Sequence, residues 1–311
     1  MLNPLSLIEG FTQSEITTMD DCAEKWHNGY NLMLRRKGAF QWYNIYGTCI
    51  HKGLEDFYRD GTEAVPALIL PEDAMLDANQ EAEFEYWSEV AALQLPKYYK
   101  YNKLDLTVFE IIQTEEIITV DYEGIRLTGK LDMMFKDSEG RITLCDHKTT
   151  GRWSPDVVNG WHWRFQFMFY MWLAERRHGI KVEGFMVNCI VKPALKQGKA
   201  ESLPSFIARV QADMTQEPDK YFKRIWMPTL KNAMKRFEDE MLRPKIHRLQ
   251  LLTQEDTDVS ILELLMHNKN TNNCIKFGQN CEFLPLCQNG HKLESFQYTQ
   301  KTTKHEELTT D

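Results

Sequence analysis

The stretch Gly129–Thr150, GKLDMMFKDSEGRITLCDHKTT, decides how the rest of the chain is read. It predicts a hairpin. The first strand runs from about Ile125 to Phe135, and Asp137, Ser138, Glu139 and Gly140 supply turn chemistry. The second strand runs from about Arg141 to Lys148. Successive side chains on a strand point to opposite faces. Asp146 and Lys148 therefore share a face, with Ile142 and Leu144 deeper on it, while Cys145 and His147 point the other way.

Two carboxylates and a lysine at the end of a hairpin suit phosphodiester cleavage. Asp132 and Asp146 offer oxygen ligands to a hard divalent cation such as Mg2+. Such a cation polarises the phosphate and lowers the pKa of its bound water. Lys148 is then placed to orient that water or to stabilise charge growing on the phosphate. Asp-x-Lys alone is common on ordinary exposed hairpins. Gly-x-x-Asp, a turn, and an apolar run into Asp-x-Lys-Thr is far more specific.

This combination resembles the core motif of the PD-(D/E)XK nuclease superfamily, in its RecB-type exonuclease branch. Relatives serve DNA repair, recombination, phage replication and CRISPR spacer acquisition. The resemblance implies an α/β fold: a restriction-endonuclease-like core with a short mixed central sheet flanked by helices. A helical insertion and a C-terminal cysteine-rich clasp are expected to be added to it.

Three further elements follow the branch in order. Gly47–Arg59, GTCIHKGLEDFYR, carries a helical apolar stripe of Ile50, Leu54, Phe57 and Tyr58. By itself, His51 reads as a half-buried histidine or as a ligand, since neutral imidazole binds divalent metals. Gly-x-x-x-His with Leu-Glu soon after resembles the helix whose histidine joins the two aspartates. A histidine ligand suits Mn2+ alongside Mg2+. Downstream of Lys148, a helix is expected from about Pro155 to His178, bearing Trp161, Phe165, Phe169 and Leu173. Gln166 and Tyr170 are four apart on it and share a face. They fit a packed aromatic helix, and in the branch such a pair contacts DNA and steadies the lysine.

The third element is Cys274-x6-Cys281-x5-Cys287, in a loop-like segment with Asn273, Gly278, Asn280 and Pro285. Clustered thiolates suit Fe–S or Zn2+. Three ligands leave a place for a fourth. Cys22 fits it, although a lone cysteine on a helix is also an ordinary small core residue. In the resembled branch, one N-terminal and three C-terminal cysteines hold a [4Fe–4S] cluster that clasps the ends of the nuclease domain. Zn2+ is the rival occupant, and His291 could join it. Cys49, Cys145 and Cys189 are scattered, and disulfides are not suggested.

Composition sets bounds. Eight Trp, sixteen Phe and twelve Tyr in 311 residues argue against disorder. The net charge of -8 gives nucleic-acid binding no general support, so local patches must decide. No apolar run of about 18 residues exists, so no membrane helix is expected. MLNPLSLIEGFTQSE lacks the basic and apolar regions of a secretory signal, so the expected location is cytoplasmic. No Walker-type phosphate loop occurs; a separate helicase or recombination partner would supply any motor.

The remaining expectations concern organisation. A helix is predicted from Ser14 to about Arg36, with Cys22, Trp26, Tyr30 and Met33 at helical spacing. Glu72 to Tyr101 reads as helical, and Leu104 to Val120 and Val182 to Val191 read as strands. Glu115 and Glu116 read as paired charges at a sheet edge, or as a further carboxylate near the metal. Lys223, Arg224, Lys231, Lys235, Arg236, Arg243, Lys245 and Arg248 form either a phosphate-binding strip or a solvated helix surface. Residues 1–59 are expected to hold the N-terminal helices, 60–105 a helical insertion, 106–250 the core and 251–290 the clasp. Residues 291–311 read as a disordered polar tail.

The function this implies is a Mg2+- or Mn2+-dependent deoxyribonuclease, an exonuclease preferring single-stranded or free DNA ends. Asp132, Asp146 and Lys148 are its catalytic candidates. His51, Asp132, Asp146 and the main-chain carbonyl of His147 are the metal candidates. Cys22, Cys274, Cys281 and Cys287 are the cluster candidates, and Gln166 and Tyr170 the DNA contacts. The competing readings are a non-catalytic DNA-binding or assembly subunit that keeps the fold, and a zinc-stabilised interaction module.

Overall fold

The structure is a computed structural model that describes residues 2–3, 5–151, 153–154, 160–254, 256–276, 278–289, 295–305 and 308. Five strands form the central sheet: β1 (Glu110–Tyr122), β2 (Ile125–Lys136), β3 (Ile142–Thr150), β4 (Gly184–Val191) and β5 (Phe222–Pro228). They lie side by side in chain order. All neighbours are antiparallel except β3 and β4, which are parallel. The helices that position the site are α1 (Gln13–Asp21), α2 (Trp42–Asp60), α3 (Ala78–Tyr101), α4 (Phe165–His178) and α5 (Leu203–Gln216). A parallel pair needs a crossover, and α4 supplies it. The fold is thus α/β, with a mixed sheet flanked by helices.

Alternation along the strands divides the interior in two. Leu127, Leu131, Leu144, Phe185 and Val187 meet Phe169, Trp172 and Leu173 of α4. Met133, Phe135, Cys145, Met186 and Ile190 meet Ile50, Leu54 and Phe57 of α2, Tyr99 of α3 and Val210 of α5. Each such side chain, fully buried, contributes about 1.5–3 kcal/mol. Local signals fix the ends. Asp137 Oδ1 accepts the Glu139 and Arg141 amides at 2.9 and 3.0 Å in the β2–β3 turn. Gly61 closes α2 in the left-handed region, φ 78°, where a side chain would be strained. Asp77 and Gln80 form a capping box on α3.

Several expectations are corrected. The helix expected from Ser14 to Arg36 breaks at Cys22, whose backbone is extended at φ -167°. It resumes over Ala23–Trp26, widens into a π-turn over His27–Asn31, and gives way to a strand, Leu34–Arg36. Apolar spacing survives these changes of register, so periodicity could not reveal them. The strand expected from Leu104 starts at Glu110, because Asp105–Val108 forms a helical turn. The helix expected from Pro155 starts at Phe165, after a short 3-10 turn over Trp161–Trp163; residues 155–159 lie outside the described residues.

The polar tail is also partly folded. Tyr298–Gln300 pairs with Leu34–Arg36, and Lys304 and His305 are buried. Lys304 Nζ lies 2.8 Å from Glu15 Oε1. A buried carboxylate thus compensates a residue type that composition assigns to solvent.

Candidate active site

The site begins where β2 changes face. Up to Leu131 its odd-numbered side chains pack under α4, whereas Met133 and Phe135 pack under α2. The switch falls at Asp132. The β2–β3 ladder runs from Lys136↔Ile142 to Met133↔Cys145 and then stops, one step before Asp132 and Asp146 would pair. There the Asp132 carboxylate takes over: its Oδ2 accepts the His147 amide at 2.6 Å. The N–H and C=O of one strand residue point to the same side, so the His147 carbonyl also faces the gap. The His51 ring hydrogen-bonds to the His147 main chain, and its Nδ1 lies 3.6 Å from Asp132 Oδ2.

Glu115 enters from β1. It sits opposite Asp132, beyond a register shift between Ile111 and Gln113, with φ 51°. A non-glycine residue held in this region costs roughly 1–3 kcal/mol. The distortion brings His51, Glu115 and Asp132 together, with one ligand atom from each within 4.8 Å of the others. Glu116 instead pairs with His178 at 3.1 Å.

Asp146 lies beside this trio in the same cleft. Its Oδ1 accepts from Gln166 Nε2 at 3.1 Å, and Lys148 Nζ lies 2.7 Å from its Oδ2. Gln166 therefore holds the carboxylate rather than the lysine. Two glycines permit the close packing. A Cβ on Gly129 would come 2.8 Å from Leu173 and 3.1 Å from Tyr170 of α4, and one on Gly47 would come 3.4 Å from the Thr149 hydroxyl. The result is one cleft of about 600 Å3 lined by His51, Glu115, Asp132, Asp146, Lys148, Gln166 and Tyr170.

The electrostatics suit a cation. Burial, and then the neighbouring Asp146, push the Asp132 carboxyl up to about 7. Burial followed by Asp132 raises Glu115. Burial lowers His51, favouring the neutral imidazole that metals bind. Glu115 Oε1 is buried and makes no hydrogen bond, and the buried Asp146 Oδ2 meets only the Lys148 ammonium. Crowded, desolvated carboxylates with open oxygens are what a hard divalent ion takes. The donor set fits Mg2+ or Mn2+.

Behind the gap runs a row of polar side chains that sequence reasoning did not bring together. His147, Asn188 and Arg224 are direct cross-strand neighbours. Asn188 Nδ2 lies 2.8 Å from His147 Nδ1 and donates to the Tyr98 hydroxyl at 2.7 Å. Arg224 donates to Asp105 Oδ1 at 2.9 Å, and the Tyr58 hydroxyl donates to Asp105 Oδ2 at 2.7 Å. The Tyr58 ring stacks on the His147 ring at 5.7 Å. Burial holds the His147 imidazole pKa well below its usual value. Arg224 thus belongs to this row, not to a phosphate-binding strip. Of the other basic residues in that series, Lys235 and Arg236 pair with Asp239 and Glu240, and Lys245 with Asp20.

The cysteines gather elsewhere. A two-stranded hairpin, Ile275–Lys276 with Gln279–Asn280, fills the six-residue gap. At its base the Cys281 amide donates to the Cys274 carbonyl at 2.7 Å. Cys287 lies on the helix Leu284–Asn289 and is close enough to Cys281 and Cys22 to feel their charge. Cys22 Sγ accepts from the Asn270 amide at 3.5 Å. His291 lies outside the described residues.

No curated protein matches the chain. Among solved structures, a candidate exonuclease from Eubacterium rectale is similar at 14% identity and a TM-score of 0.45, over 92% of this chain and 88% of that one. The structure of SSO0001 is similar at 8% identity and a TM-score of 0.29, over 76% and 90%. A family model covers residues 10–288, and by that match the chain belongs to the PD-(D/E)XK nuclease superfamily.

Proposed function

We propose that this chain is a Mg2+- or Mn2+-dependent exonuclease that hydrolyses phosphodiester bonds at single-stranded DNA ends. One observation carries the reading: His51, Glu115 and Asp132 converge beside Asp146 and Lys148 in one cleft, and the buried Glu115 Oε1 there makes no hydrogen bond. His51, Asp132, Asp146 and the His147 carbonyl would hold the ion, with Glu115 as a further carboxylate. When bound, the ion supplies charge that polarises the phosphate and acidifies water. Lys148 donates hydrogen bonds to the attacking water and to the phosphate oxygens on which charge develops. Gln166 keeps Asp146 oriented, and Tyr170, one turn further along the same helix, borders the path of the strand.

The test uses end-labelled single- and double-stranded DNA with and without Mn2+. Metal-dependent release of short products from single strands is expected, and Lys148→Ala should abolish it while DNA binding in Ca2+ persists. Equal cleavage by that variant removes the assignment.

We further propose that Cys22, Cys274, Cys281 and Cys287 hold a structural [4Fe–4S] cluster. Cys287 lies close enough to Cys281 and Cys22 to feel their charge, and thiolates gathered in this way suit iron–sulfur ligation. Anaerobically purified protein should be brown and contain iron; a colourless protein loaded with zinc overturns this.

A further inference from the structure

The cleft lysines are not alike. Lys52, Lys130 and Lys148 each face a carboxylate, at 3.0, 2.7 and 2.7 Å. Lys192 stands beside the cleft and has no ion-pair partner among the described residues. It follows β4 directly, and its amide donates to the Thr150 carbonyl at the end of β3. It therefore lies at the same end of the sheet as Lys148. Its ammonium is surrounded by rings instead, 5.7 Å from Tyr43, 5.3 Å from Tyr46 and 5.2 Å from Trp87. Burial lowers its pKa to about 8. In a chain of net charge -8, a half-buried cation without a carboxylate is positioned for an anion from outside.

Tyr43 adds the second component. It lies in the first turn of α2, is 49% exposed, and lines the cleft. It precedes His51 by eight residues on the same helix, a rise of roughly 12 Å and a reach of about two extended nucleotides. Tyr46 fixes the cage from behind. It is fully buried and bonds to Gln94, which in turn donates to the Val191 carbonyl at 2.8 Å.

We infer that Tyr43 and Lys192 form a binding subsite for single-stranded DNA, with Tyr43 stacking on a base and Lys192 taking the adjoining phosphodiester. This rests on the nuclease reading and deepens it. An exposed ring beside an unpaired cation recognises an unpaired base with its phosphate, without regard to sequence. A duplex keeps its bases stacked on one another and offers the ring no face.

The full chain, held in Ca2+, would be titrated with a fluorescent oligothymidylate, an abasic strand of equal length and a blunt duplex, at several salt concentrations. Tyr43→Ala should weaken oligothymidylate binding about tenfold, within the range for one stacked base, and leave the other two ligands within about twofold. Tyr43→Phe should bind like the wild type. Lys192→Gln should lower the slope of log K against log salt by about 0.7, the loss of one single-strand phosphate contact. Equal losses by Tyr43→Ala on the thymidylate and abasic strands, or an unchanged slope for Lys192→Gln, overturn the subsite alone. A wild-type protein that binds no DNA overturns the nuclease reading and the subsite with it.

Discussion

The cleft and the cysteine clasp both gather residues from distant parts of the chain, but they are built differently. The cleft draws its side chains from strands and long helices, and Asp132, Asp146, His147 and Asn188 are each tied by hydrogen bonds to a second element. Hydrogen bonds within the chain hold its geometry. The clasp draws its thiols from a helix break, the two flanks of a short hairpin and a short helix, over a core that among the described residues is Phe283, Leu286 and Tyr298 with Leu34 packed against it. With the proposed cluster bound, its cohesion would come largely from what the thiols hold. The cleft would then sacrifice stability for readiness, whereas the clasp would gain stability from its occupant.

Four changes would break or sharpen that contrast. Asp132→Asn should reduce cleavage by on the order of 1000-fold or more. Relieving crowded buried charge, it should also raise the Tm of the metal-free protein by roughly 2–4 °C. A drop in that Tm would mean that Asp132 stabilises the fold. Next, Cys22→Ser should cost about 3 kcal/mol or more of stability and open the segment around residues 268–289 to limited proteolysis, while calorimetric Mn2+ affinity in the cleft changes little. Lost Mn2+ binding would show that the two regions are not independent.

Third, Asn188→Leu removes the partner of His147 in the row behind the gap. Mn2+ affinity should fall about 10- to 100-fold, and Tm should fall as well, because Tyr98 loses the same partner in a buried row. Unchanged affinity would make the row purely structural. The smallest effect expected is from Glu115→Gly. Relief of the φ 51° backbone should raise Tm by a few degrees even as Mn2+ affinity weakens. A lower Tm would locate the strain elsewhere.

Much of the cleft was legible in the sequence. Alternation put Asp146 and Lys148 on one face, the turn residues set the hairpin, and the helical stripe identified the element carrying His51. These signals are local, so short windows contain them. What was not legible depends on partners far along the chain. The change of face at Asp132 arises where two strands part. Glu115 read either as a paired charge or as a further carboxylate near the metal, because its left-handed backbone leaves no mark in composition; it pairs with Lys130, at 2.7 Å, while its carboxylate also faces the metal candidates. Asn188 and Arg224 gain meaning only from the register that sets them beside His147. Lys304 and His305 were assigned to solvent because nothing near them in sequence announces Glu15.

The His147 amide, bound to a carboxylate where a strand partner would otherwise sit, has a practical use. Its proton resonance should respond when Asp132 changes its company, whether to an ion, a proton or neither. One nitrogen-15 label on the backbone would then report occupancy of the centre directly, with no substrate present and no turnover to interpret.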